Sequence, residues 1–231
     1  DRQNSTAPNG RRTIDDIADR QITVDTKLGW KTEPRSWLSS DFTVGLQGFF
    51  ARNVESNSTA ENFPGPGLEV VGAGTPTTLG ETFLSTVTGG FFGQEQFSLF
   101  NWIHTTVGGR YDYSSAFGKE APGVFYPKAS ISVVPSDRPG WKDHGFASVI
   151  SALRLRAALG QSGRQPGAYD QFTTYGPLQL APSGTGLVPL NLGNPKLAPE
   201  VSTEGELGFE VGMLDGRLGL QATGWNRVVN D

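Results

Sequence analysis

The segment VSTEGELGFEVGM, residues 201–213, repeats with a period of two. Leu207, Phe209, Val211 and Met213 fall on one side, with Glu204, Glu206 and Glu210 on the other. A helix would need its apolar residues three and four apart, so this pattern requires an extended strand with one oily and one polar face. The alternation recurs along the chain. In QITVDTKLGWK (21–31), Ile22, Val24, Leu28 and Trp30 oppose Gln21, Thr23, Asp25, Lys27 and Lys31. In SWLSSDFTVGLQGFF (36–50), Leu38, Phe42, Val44, Leu46 and Phe50 oppose Asp41, Thr43 and Gln47. ALRLRAALG (152–160) sets Leu153, Leu155, Ala157 and Leu159 against Arg154 and Arg156.

These segments predict strands at roughly 20–31, 36–51, 82–98, 102–113, 125–134, 152–160, 200–213 and 217–228. With 31 glycines, 15 prolines and no cysteine, the chain suits extended segments joined by turns and cannot build a disulfide framework. The expected fold is all-β, an antiparallel up-and-down meander of about eight strands. The connections alternate in length. Turns at 33–35, 99–101 and 214–217 are short, whereas 52–81 and 161–200 are long; 114–123 is of medium length, and 135–151 is an exception on the short side. Short turns at one end and long loops at the other are the layout of an outer-membrane barrel. Strands of about ten residues fit a tilted bilayer crossing. Trp30, Trp102, Trp225, Tyr111 and Tyr113 are expected near strand ends, as an interfacial girdle. Two alternatives stay open: a secreted β-sandwich that binds carbohydrate, with a second sheet closing the apolar face, and a closed eight-stranded barrel that brings 21–31 beside 217–228.

The stretch GNPKLAPE (193–200) precedes the segment first described. Proline has no N–H and cannot join the middle of a ladder, so Pro195 and Pro199 keep this stretch extended but unpaired. Pairing is expected to start at Glu200, which sets the register of 201–213.

NPKLAPE with the following STEGELGFEVGMLDGRLGLQATGW resembles the late-barrel motif of TonB-dependent outer-membrane receptors, closest to the SusC/RagA-like branch. FFGQEQF (91–97), GGRYDYSSAFG (108–118), FYPKASISV (125–133) and ALRLRAALGQSG (152–163) agree in family order. The residues that carry the likeness are Arg110, Asp112, Ser114, Phe117, Gly118, Pro127, Lys128, Asn194, Pro195, Leu197, Pro199 and Glu200. Val133 and Leu159 depart from it, standing where the family commonly has aromatics.

The resemblance implies a mid-to-late piece of a transmembrane barrel, spanning 1–231 without a plug domain, in the bacterial outer membrane. It further implies TonB-energised uptake of a nutrient such as a glycan, oligosaccharide or peptide. Expected partners are the nutrient, the plug and remaining strands, the TonB complex through that plug, outer-membrane lipid, and a lipoprotein of the SusD type. Tyr169, Phe172 and Tyr175, with Gln179, are candidate ligand contacts on the last long loop. Arg154, Arg156, Glu204, Glu206 and Glu210 are expected to face the lumen.

Other chemistry finds little support. Glu204 and Glu206 lie about 7 Å apart on one strand face, inside the spacing of inverting glycosidases, but an acidic ladder explains them without a sugar cleft. GQSGR (160–164) places Arg164 where a nucleophile elbow needs glycine. His104 and His144 lack metal-ligand spacing. GPG (65–67) and GAG (72–74) lack the lysine of a phosphate loop. Asn4-Ser5-Thr6 and Asn57-Ser58-Thr59 are chance matches to glycosylation acceptors. The formal charge of −4 and the lack of a basic patch give no reason to expect nucleic acid. No enzyme and no cofactor are expected.

Overall fold

A computed structural model describes residues 7, 9–68, 70–121, 123–180 and 184–230. The Asn4-Ser5-Thr6 triplet lies outside them, as does the side chain of Gln179. The strands are β1 (Arg11–Arg35), β2 (Leu38–Glu61), β3 (Thr75–Leu99), β4 (Ile103–Ser114), β5 (Val124–Val133), β6 (Ile150–Arg164), β7 (Thr174–Leu180), β8 (Gly184–Asn191), β9 (Glu200–Met213) and β10 (Leu218–Asn230). Eight of them form one sheet in the order β1-β2-β3-β4-β5-β6-β9-β10, and β7 pairs only with β8.

That order is a meander interrupted once, where the β7–β8 hairpin sits between β6 and β9 in sequence. It does not fit the two alternatives. The only other sheet among the described residues is that hairpin, so no second sheet closes a sandwich. β1 and β10 are the two ends of the sheet rather than hydrogen-bonded neighbours, so the eight strands do not close on themselves.

By internal contacts the chain divides into two compact units, 1–23 with 49–87, and 24–48 with 88–231. In the first unit, β1 and β2 are joined by a polar ladder. Arg11 pairs with Glu61, Thr13 Oγ1 lies 3.0 Å from Thr59 Oγ1, Asn57 donates to Asp15, and Asn53 donates to Asp19 at 2.6 Å. The residue numbers of every pair add to the same total, the signature of one antiparallel register with directly opposed side chains. These pairs overturn part of the sequence expectation. The segment 52–81 is not a single loop: β2 runs to Glu61, β3 starts at Thr75, and only 62–74 connects them. RRTIDDIADR and NVESNSTAE lack apolar alternation, but opposed polar side chains hold them as strands.

In the second unit the register of β3, β4, β5, β6, β9 and β10 assigns the paired side chains to two faces. Leu155 lies opposite Phe209 and Ala157 opposite Leu207, whereas Arg154 lies opposite Glu210. Ile131 lies opposite Ala157 and Ser132 opposite Arg156. Apolar and polar residues therefore form two continuous faces across four strands. The apolar face is bare. Phe42 and Leu155 are each 45% exposed, Phe209 is 37% exposed and Leu207 70%. A layered soluble domain would bury these residues first.

β5 shows how one proline shapes the sheet. Pro127 lies opposite Gly109 of β4, but the ladder from β5 to β6 begins one residue later, at Lys128 opposite Gly160. A residue without an N–H ends a ladder on the side that its nitrogen faces. Beyond that point β6 runs on to Arg164 paired with β9 alone. Tyr126, 8% exposed, fills the gap by laying its ring against Gly163, where a Cβ would collide with it.

Candidate functional site

The connections sort by end. At one end lie the short turns at 36–37, 100–102 and 214–217, together with 134–149, which is wound into three short 3-10 turns. At the other lie the segments 115–123 and 165–199, the second of which carries the β7–β8 hairpin.

At this second end the motif residues of two distant segments meet. Gly118 N–H donates to Leu197 O at 2.8 Å, and Glu120 N–H donates to Pro195 O at 2.9 Å. The approach is so close that a Cβ on Gly118 would overlap the Pro195 carbonyl. The prolines leave the 194–199 backbone free of ladder bonds, so its carbonyls are available to the 118–120 amides. Asn194 shapes the turn: its Oδ1 accepts from Lys196 N–H at 3.0 Å and its backbone carbonyl from Leu197 N–H at 3.1 Å. β9 then starts at Glu200, directly after Pro199.

Below this clamp the S-S-A-F turn is buried. Ser114 is fully buried, Phe117 is 3% exposed and Ala116 1%. Ser114 Oγ donates to Gln165 Oε1 at 3.0 Å and accepts from Ala116 N–H at 3.2 Å. Gln171 Nε2 donates to Ser115 O at 2.7 Å and binds the third segment to the same turn. Gly193, with φ of +71°, presses against the backbone of Gln171 and Phe172, a conformation and a contact that suit only glycine. Gln165 and Gln171 leave no mark in the sequence, because an isolated glutamine in a loop gives no periodic signal.

The pair Arg110 and Asp112 belongs to the polar face. They form an ion pair, Arg110 Nη1 donates to Gln47 Oε1 at 2.6 Å, and Gln47 Nε2 donates to Asp25 Oδ2 at 3.0 Å. This chain passes over β3 at Gly90, which lies opposite Asp112 and whose Cβ, if present, would collide with its carboxylate. Lys128 Nζ donates to Gln94 Oε1 at 2.7 Å on the same face.

Arg154, Arg156, Glu204, Glu206 and Glu210 also share that face. Glu210 receives Arg156 at 3.2 Å and Arg154 at 3.9 Å, and Arg156 Nη2 also donates to Thr223 Oγ1 at 2.7 Å. Arg227 lies 4.0 Å from Glu204 and donates to Ser202 Oγ at 3.1 Å. The arginine and glutamate side chains are well hydrated, so each ion pair adds little to stability, and the ladder chiefly fixes where charges stand. Trp225 corrects an expectation. It lies opposite Glu206, within β10 rather than at its end, so it stands on the polar face instead of in an apolar girdle.

The three candidate loop aromatics do not form one cluster. Tyr169 is half-buried, Phe172 is 38% exposed with Lys119 Nζ 5.8 Å from its ring centroid, and Tyr175 on β7 is 59% exposed. His104 Nδ1 lies 3.0 Å from Ser98 Oγ, and His144 stacks on Phe146 with centroids 5.3 Å apart. No group of three or more metal-binding side chains occurs among the described residues.

Comparison with known proteins agrees with this architecture. A TonB-dependent receptor, P26, from Formosa agariphila is 29% identical over 152 residues, which cover 61% of this chain and 14% of that protein. The solved structure of the RagAB peptide transporter superposes with a TM-score of 0.88 at 17% identity, over 98% of this chain and 25% of its own. The RagAB peptide importer in an open-open state gives 0.84 at 17% identity, over 96% of this chain and 24% of its own. The chain thus spans a seventh of the curated relative and a quarter of the structures it matches, and the likeness to RagAB is one of fold. The family model described as TonB dependent receptor-like, beta-barrel matches residues 1–231. The chain belongs to the β-barrel family of TonB-dependent receptors, a family of outer-membrane transport proteins.

Proposed function

We propose that the chain is a section of barrel wall in an outer-membrane receptor that takes up a nutrient at the expense of TonB-transmitted energy. The observation that carries this reading is the bare apolar face: Leu207, Phe209, Leu155 and Phe42 lie exposed on one side of a sheet whose other side is an ionic ladder. Hydrocarbon covers such a face without a second protein layer, and the polar side then lines the lumen. On this reading Arg154, Arg156, Glu204, Glu206 and Glu210 look into the interior. The clamp of 114–121 on 194–199 holds the long loops over the mouth, where Tyr175 and Phe172 are available to ligand. The domain is a partial barrel, completed by further strands and by a plug. Peptide is the nutrient class favoured by likeness to the RagAB importer, and a lipoprotein lid of the SusD type is the matching partner.

The test uses the full receptor in its host. It should fractionate with the outer membrane, and deleting its gene should abolish growth on one class of peptide as sole nitrogen source. An uncoupler should stop uptake while leaving surface binding intact. Recovery in the periplasm as a soluble protein would refute the wall reading, and growth loss on glycans alone would refute the peptide assignment.

A further inference from the structure

Arg20 on β1 and Arg52 on β2 stand directly opposite each other, in the register that joins Asp19 to Asn53 and Asp15 to Asn57. The same register continues past the strand ends, where Asn62 N–H donates to Gly10 O at 3.2 Å and Phe63 N–H to Asn9 O at 3.0 Å. Side chains paired in this way lie about 4.5–5.5 Å apart at Cβ, and like charges there repel. Nothing beside them on the two strands relieves the repulsion. On the same side the flanking pairs are Ala18 with Val54 and Ile22 with Phe50, whereas Asp19 and Asn53 bond to each other on the opposite side. β2 lies between β1 and β3, so Arg52 has a strand on each side, yet it makes no ion pair or side-chain hydrogen bond among the described residues.

The place of the pair along its strands gives this repulsion a use. On β1 the oily side runs from Trp30 through Leu28 and Val24 to Ile22, broken only by Thr26, and Arg20 is the next residue on that side. On β2 it runs from Phe42 through Val44 and Leu46 to Phe50, and Arg52 follows. Each run covers nine residues, the length of one tilted crossing of the hydrocarbon. β1 and β2 are joined at 36–37, so the arginines mark where both runs end away from the short turn.

We propose that Arg20 and Arg52 form a seat for a phosphomonoester on the headgroup of an outer-leaflet lipid. Each guanidinium binds phosphate through paired N–H donors, and two side by side match a group carrying about −1.5 to −2 charge. The single charge of a phosphodiester matches them less well. Ile22 and Phe50 lie on the hydrocarbon side of the pair, where acyl chains begin, so headgroup and chains each meet a surface of their own kind. This inference rests on reading the oily side as membrane-facing, and its test separates the two.

The experiment replaces Phe50 by a photoreactive phenylalanine analogue in the full receptor in outer membranes and identifies what it captures by mass spectrometry. The seat predicts capture of a lipid bearing phosphomonoesters in preference to phosphodiester phospholipids. Arg20→Gln combined with Arg52→Gln should lower that capture about tenfold. Arg12→Gln, which removes an arginine farther out on the same side of β1, should leave it unchanged. Capture that favours phosphodiester lipids, ignores Arg20 and Arg52, or falls equally with Arg12→Gln overturns the seat while the wall reading stands. Capture of polypeptide, or of water alone, removes hydrocarbon from this side and overturns both. Should the double variant fail to assemble, Arg52→Gln alone must lower the capture, and an unchanged yield overturns the seat.

Discussion

Gly118 brings two distant segments into backbone contact. Its amide donates to Leu197 at 2.8 Å, and its missing Cβ makes room for Pro195. Gly118→Ala must push the two segments apart and weaken the neighbouring Glu120–Pro195 bond as well. The expected cost is about 1–3 kcal/mol. Limited proteolysis of the receptor in detergent should show faster cleavage within 165–199; an unchanged digestion rate would mean that the clamp does not hold that segment. The ion-pair ladder should behave differently. Its members are well hydrated, so Glu210→Gln should change stability by less than about 1 kcal/mol, read as an unshifted unfolding midpoint in urea. Of these residues the sequence made the motif positions legible, and it paired Arg154 with Arg156 and Glu204 with Glu206 by parity. It did not reveal that NPKLAPE and SSAFG touch, because contact between segments about 80 residues apart leaves no local pattern. The place of Trp225, by contrast, is legible in the sequence. It shares parity with Gln221, Thr223 and Arg227, and that alternation already places it among polar side chains.

At the scale of an element, one strand should answer oppositely to the same substitution at adjacent positions. In β5, Ile131 lies on the apolar face and Ser130 on the polar face. Ile131→Arg should destabilise by about 2–4 kcal/mol, the cost of arginine at mid-bilayer, and Ser130→Arg should be nearly silent. Equilibrium unfolding of the refolded receptor in lipid vesicles measures both, and equal effects would contradict the assignment of faces. The long strands allow a second contrast. β1 has 25 residues, about 85 Å at a rise of 3.4 Å, whereas a tilted crossing of the hydrocarbon takes 9–11. Ile14 and Leu28 share one face of β1, but Ile14 lies in the stretch rich in charge. Leu28→Lys should cost about 2–4 kcal/mol and Ile14→Lys well under 1 kcal/mol. The sequence concealed this length because alternation of oily residues marks only the part of a strand that meets an apolar medium. Beyond it, cross-strand pairs such as Thr13 with Thr59 hold the ladder, and they are visible only once both strands are placed. The hairpin of β7 and β8 was hidden likewise: Pro177 and Pro189 argue against strands, yet a two-stranded ribbon has free edges that tolerate them.

For the whole molecule, surface area separates a wall from a globule. The apolar face is bare, and every described residue of β1 and β10, the terminal strands of the sheet, is exposed. Each of those strands offers an unpaired row of backbone donors and acceptors, which hydrocarbon does not satisfy and which in water templates association. Residues 1–231 expressed alone should therefore form large aggregates in buffer. Detergent should cover the apolar face without satisfying the edges, so it should yield small oligomers joined edge to edge rather than monomers. Size-exclusion chromatography with light scattering, in buffer and in detergent, distinguishes these states. A monodisperse monomer in plain buffer would require the oily side chains of Leu155, Leu207 and Phe209 to find cover within the chain itself, and that cover would make the sheet a layer of a soluble domain.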